Sequence, residues 1–129
     1  MIEQTDLVVN EWIYMPPVAI NSIDKISSEI TLEVMKKTAP SKKGLACKFT
    51  CRFVNGTETI LLYVAQDSYV IDLEDKIDAN EIRIMIKNSY SKFKEKYEFR
   101  RLGTTLHNTP LISFDETNLD LSQILSLLN

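Results

Sequence analysis

Histidine, cysteine and glycine are scarce in this chain: of 129 residues, one is His, two are Cys and three are Gly. A zinc site takes about four soft or imidazole ligands, more than Cys47, Cys51 and His107 supply together. His107 lies in the polar stretch 103–109, which reads as a loop, and with no second histidine or catalytic motif near it no nucleophile and base can be paired. Carboxylates at catalytic spacing are also missing, so neither an enzyme nor a cofactor is expected. Excess charge of one sign is absent: 15 Lys and Arg stand against 18 Asp and Glu, a net charge of -3. That balance gives no general pull toward nucleic acid or an anionic membrane. No apolar run approaches the roughly 18 residues of a membrane span. The start, MIEQTDLVVNEW, has no basic flank leading into an apolar run and does not read as a secretory signal. The expectation is a cytoplasmic protein, without membrane insertion, whose thiols are reduced.

What the chain does contain is patterning. Its 129 residues fit one domain spanning 1–129. In Leu45 to Phe53 (LACKFTCRF), Leu45, Cys47, Phe49, Cys51 and Phe53 alternate with Ala46, Lys48, Thr50 and Arg52, the period of a strand with one buried face. Both cysteines then point into the core. Four residues along a strand span about 13 Å, against the roughly 7 Å that a disulfide tolerates between Cα atoms, so the two cannot bridge. Glu29 to Met35 (EITLEVM) alternates in the same way. Lys36 to Gly44 (KKTAPSKKG) reads as a hairpin loop, and Asn55-Gly56 as the next turn. Leu7 to Tyr14 (LVVNEWIY) reads as an edge strand stopped by Pro16-Pro17.

Ile60 to Leu73 forms a strand that is apolar on both faces. Ile60, Leu62, Val64 and Val70 face one way, and Leu61, Tyr63, Ala65, Tyr69, Ile71 and Leu73 the other. In an antiparallel sheet one face is usually solvated, so a second apolar face needs a cover. The chain's own helix, another subunit or a bound polypeptide could each supply it. Leu61, Tyr63, Tyr69 and Ile71 are the candidates for a client-binding face open to solvent.

From Asp78 the period changes. Ile82, Ile86, Tyr90, Phe93 and Tyr97 make one helical stripe, with Asp78 as N-cap, Glu81 three residues later and Gly103 as the stop. A helix of about 24 residues is roughly 36 Å long and can outrun a small sheet, which makes Tyr90, Phe93 and Tyr97 candidates for an oligomer interface. Pro110 to Phe114 reads as extended, and Leu119 to Leu128 as a second amphipathic helix. Acids at Asp72, Glu74, Asp75, Asp78 and Glu81 suit the long helix's start, and Lys87, Lys92, Lys94, Lys96, Arg100 and Arg101 its end. The order implies an α+β fold: an antiparallel sheet of about four strands, then a long helix and a short C-terminal helix.

That order, with several local phrases, resembles the SecB family of bacterial export chaperones. The stretch LLYVAQDSYVIDL is similar to the family's apolar strand followed by a glutamine (Gln66), a small polar turn (Asp67-Ser68) and an aromatic-aliphatic step (Tyr69-Val70-Ile71). The long helix closing near Arg101 and Gly103, then Leu106, Pro110-Leu111, Phe114-Asp115 and a Leu-rich helix, is similar to its tail. The resemblance covers residues 7–128 and includes no catalytic fingerprint. It implies dimers, often assembled as a tetramer, that hold unfolded polypeptides in apolar grooves without ATP and pass them to a translocase motor through an acidic sheet surface. Two departures count against that hand-off: Tyr63 takes the place of an acid in the surface, beside Leu61, and the family's acidic C-terminal tail is lacking. The expected function is an ATP-independent holdase for unfolded clients, serving export or a specialised client. The alternative is a structural or assembly subunit that buries the same surface against a fixed partner.

Overall fold

A computed structural model describes residues 2–15, 26–39, 41–104, 106 and 121–128. Among these residues five strands and two α-helices follow in order: β1 (Ile2–Gln4), β2 (Val8–Tyr14), β3 (Ile26–Ala39), β4 (Lys42–Asn55), β5 (Glu58–Asp72), α1 (Ala79–Arg100) and α2 (Ser122–Leu128). The sheet is antiparallel throughout, with β3, β4 and β5 side by side and both β1 and β2 on the outer edge of β5. Five strands thus fill four positions, because the N-terminal edge strand is broken at Thr5 to Leu7. His107 and Pro110 to Phe114 lie outside the described residues.

The β3–β4 hairpin is longer than its sequence suggests. Lys36 pairs with Leu45, Lys37 with Gly44, Thr38 with Lys43 and Ala39 with Lys42, so most of the expected loop is ladder. The physical reason is that β3 is an edge strand, where a polar sequence does not prevent the backbone from pairing. The β4–β5 turn is the expected one: Gly56 takes φ 63°, the left-handed conformation that a Cβ disfavours.

Register decides which residues form the core. Cys51 stands opposite Tyr63, Phe53 opposite Leu61, Leu45 opposite Tyr69 and Cys47 opposite Asp67. The cysteine stripe of β4 and the tyrosine stripe of β5 therefore share one face, the face beneath α1. On β2, Trp12 and Tyr14 join it opposite Tyr63 and Leu61. A bulge between Phe53 and Val54 leaves Ile60 of β5 without a partner on β4, and Ile60 is also in the core. The other face mixes half-buried Leu62 and Val70 with Lys48, Thr50 and Arg52. Glu29 stands opposite Arg52 and Glu33 opposite Lys48 there, so cross-strand partners carry opposite charges.

Helix α1 begins and ends on local signals. Asp78 accepts the Glu81 backbone N–H at 2.8 Å while the Glu81 side chain accepts the Asp78 N–H, a reciprocal capping box. The helix closes in a 3₁₀ turn, Arg101–Gly103. Its buried residues, Ile82, Met85, Ile86, Ser89, Phe93 and Tyr97, form the stripe laid on the sheet. At 22 residues α1 is about 33 Å long, while strands of 14 or 15 residues run to about 46 Å or more. The helix does not outrun its sheet. Helix α2 packs near β3 and β4; Leu121, just before it, joins the core, and Ile124 and Leu125 pack against it.

Candidate client-binding surface

The four apolar residues singled out from sequence as a client-binding face lie together, but inside. Leu61, Tyr63 and Ile71 are fully buried and Tyr69 is 4% exposed, all in the core on the sheet face that carries α1. The expectation that this stripe is open to solvent is corrected, because α1 of the same chain covers it. The Tyr63 hydroxyl donates to the Phe93 carbonyl at 3.0 Å and the Tyr69 hydroxyl to the Met85 carbonyl at 2.7 Å, so each phenol is fastened to the helix. Tyr63 stacks on Phe93 with ring centroids 4.2 Å apart, and Trp12 meets its edge at 5.2 Å. Burial pushes the Tyr69 phenol up to about 12, and those of Tyr63 and Tyr97 also well above their ordinary value. The phenols stay neutral and able to donate.

The oligomer-interface candidates divide. Phe93 and Tyr97 are fully buried against the sheet, with Phe93 against Phe49 (centroids 5.2 Å) and Tyr97 stacked on Phe53 (5.5 Å). Their stripe is committed within the chain, which corrects the expectation of excess apolar surface there. Tyr90 is half-buried, 5.7 Å from the Phe49 ring.

Sequence reasoning missed Asp67. It reads as part of a polar turn, yet it sits mid-strand in β5 and is 1% exposed. Gln4 of β1 donates to its Oδ2 at 2.7 Å, and Ser89 of α1 donates to its Oδ1 at 2.7 Å. One buried carboxyl group thus ties the N-terminal strand, the central strand and the helix together. Ser89 alone was a detectable signal, being a polar residue within an otherwise apolar helical stripe. Burial also raises the Cys47 and Cys51 thiols to about 12, with Asp67 adding to the effect at Cys47, so neither is poised as a nucleophile.

Accessible apolar surface lies along one flank of α1, where it faces the broken edge strand. A groove of about 890 Å³ runs between Asp6-Leu7 and the second half of α1, lined there by Lys92, Glu95, Lys96, Phe99 and Arg100. Phe99 is 79% exposed and Leu102, just beyond, 69%. Val8, on β2, is also exposed. A smaller groove, about 310 Å³, continues along the flank beside Gln4, Tyr69, Ile84 and Met85. Positions 84, 88, 92, 95 and 99 recur at helical spacing, so one face of α1 walls both grooves. Lys92, Lys96 and Arg100 make a basic rim, and Arg100 lies over the Trp12 ring at 5.6 Å. Among the described residues no group of His, Cys, Asp and Glu is arranged to hold a metal, and no helix is long and apolar enough to cross a membrane. This flank can hold an extended chain by apolar contact, with cations at its border.

No family model and no curated protein matches the sequence. Similarity emerges from solved structures. A SecB-like chaperone from Mycobacterium tuberculosis (Rv1957), in complex with a ChAD peptide from the HigA1 antitoxin (Rv1956), superposes with a TM-score of 0.54 at 12% identity, covering 88% of this chain and 89% of that one. The fold is SecB-like. A protein of unknown function from Streptococcus agalactiae aligns with a TM-score of 0.49 at 13% identity, over 89% of this chain and 97% of that one.

Proposed function

We propose that this protein is an ATP-independent holdase that binds extended, unfolded polypeptide along the flank of α1. The observation that carries the reading is the groove between Leu7 and Phe99, whose apolar lining includes a phenylalanine left 79% exposed. An aromatic of that size in water gains burial from almost any apolar side chain at roughly 25 cal/mol per Å², with little demand on sequence. The SecB-like fold supports the same reading, since the mycobacterial chaperone of that fold was solved with a peptide. In this proposal the client site is the helix flank rather than the stripe of Leu61, Tyr63, Tyr69 and Ile71. The protein acts in the cytoplasm as a homo-oligomer, a dimer or tetramer, without enzymatic activity, serving export or a specialised client.

Exposed Ile84, Phe99 and Leu102 on and just beyond one helix also favour a second reading, a subunit that buries this flank permanently against a fixed partner. Aggregation of a chemically denatured test protein, followed by light scattering without nucleotide, separates the two. Suppression at near-stoichiometric ratios supports the holdase; undiminished aggregation favours the assembly subunit.

A further inference from the structure

The buried carboxyl group of Asp67 has a partner that can leave. Gln4 reaches it from β1, a strand of three residues paired as Ile2 to Ile71, Glu3 to Val70 and Gln4 to Tyr69. Beyond Gln4, the Thr5 N–H donates to the Ser68 carbonyl at 2.8 Å, and the Thr5 hydroxyl accepts the Ser68 N–H at 3.0 Å. Asp6 is exposed, and the ladder resumes only at Val8. β1 can therefore detach without unzipping β2, as short terminal strands do at low cost in free energy. Detachment would uncover the backbone edge of β5 from Ser68 to Ile71 beside the groove of Ile84 and Met85, and would strip Asp67 Oδ2 of its donor.

We propose that β1 is a built-in occupant of a strand-binding site on β5, displaced by an extended polypeptide that carries an apolar residue two positions before a Gln, Asn, Lys or Arg. Backbone pairing with β5 supplies sequence-tolerant affinity, as in strand addition to any open sheet edge. Selectivity comes from Asp67. Ser89 satisfies Oδ1, and in a residue 1% exposed Oδ2 still needs a donor, so an occupant with Leu at the position of Gln4 leaves Oδ2 unsatisfied and one with Glu sets a second acceptor against it. The apolar residue takes the register of Ile2, opposite Ile71. The bound segment is a client segment only if the holdase reading holds; the strand site stands or falls on its own test.

That test uses a fluorescein-labelled peptide with the sequence of residues 1–7, MIEQTDL, and the full chain. Gln4→Glu sets a second carboxyl group against Asp67 and frees β1. Anisotropy should show the peptide binding this variant at least about tenfold more tightly than wild type, whose own strand competes. A peptide with Leu in place of the glutamine should bind the variant at least about tenfold more weakly. Equal affinity for variant and wild type, or for the two peptides, overturns the proposal. Should the variant fail to fold by circular dichroism, hydrogen exchange on wild type decides. Excess peptide should speed exchange at the chain's own Glu3 to Thr5 and leave Val70 and Ile71 protected, whereas unchanged exchange at Glu3 to Thr5 overturns it. Suppression of aggregation by wild type with no peptide effect removes the strand site alone, and the reverse pattern removes the holdase alone.

Discussion

Cys47 and Cys51 lie on the floor beneath α1 with Phe49 and Phe53, and with both thiols lifted to about 12 the thiolate is a minor species at neutral pH. Thiol titration at pH 8 is expected to be slow on the native protein and fast in denaturant; rapid native labelling of both would contradict the packing. This inward stripe was legible in LACKFTCRF, because alternation along one strand is local information. Which face of β5 joins it was not legible. Leu61, Tyr63, Tyr69 and Ile71 look no more inward than Ile60, Leu62 and Val64, and only the pairing of Cys51 with Tyr63 settles the matter. Tyr63→Asp accordingly removes a buried ring and hydrogen bond and leaves an unpaired charge in the core. Chemical denaturation should register a loss of more than about 4 kcal/mol, or no folded protein at all. A change under about 1 kcal/mol would return Tyr63 to the surface.

At the scale of elements, α1 was readable almost residue by residue because its boundaries are set by near neighbours. Asp78 and Glu81 are three apart, and Gly103 closes the 3₁₀ turn. Asp78→Ala removes the capping box and should cost about 1 kcal/mol in chemical denaturation, with helical circular dichroism little changed. A neutral result would mean that packing alone fixes the helix start. The β3–β4 hairpin misleads because polarity in Lys36 to Gly44 is as compatible with a solvent-facing edge strand as with a loop. Asp67 misleads for a further reason: its Gln4 partner is 63 residues away, a distance over which no local pattern speaks. The grooves share that difficulty, since they arise where α1 meets the N-terminal edge strand and neither segment marks them alone.

For the molecule as a whole, the buried thiols and phenols make stability depend on alkaline pH. Burial pushes Cys47, Cys51 and Tyr69 up to about 12, from ordinary values of 9.0 for the thiols and 10.0 for the phenol. Their folded values are raised, so this stabilisation is complete below the unfolded values and is lost as pH climbs toward the folded ones. The denaturation midpoint should stay flat from about pH 7 to 8 and fall between about pH 9 and 11; a flat profile through pH 11 would contradict the burial of these groups. The proposed holdase function rests on the flank of α1, where Phe99 is exposed beside a basic rim while the aromatic stripe beneath the helix is sealed. The most direct measurement is the affinity of the Phe99→Asp variant for a permanently unfolded polypeptide, taken with its stability. The account predicts binding weakened at least about tenfold with stability within about 0.5 kcal/mol of wild type. Undiminished binding by a fully folded variant would contradict it.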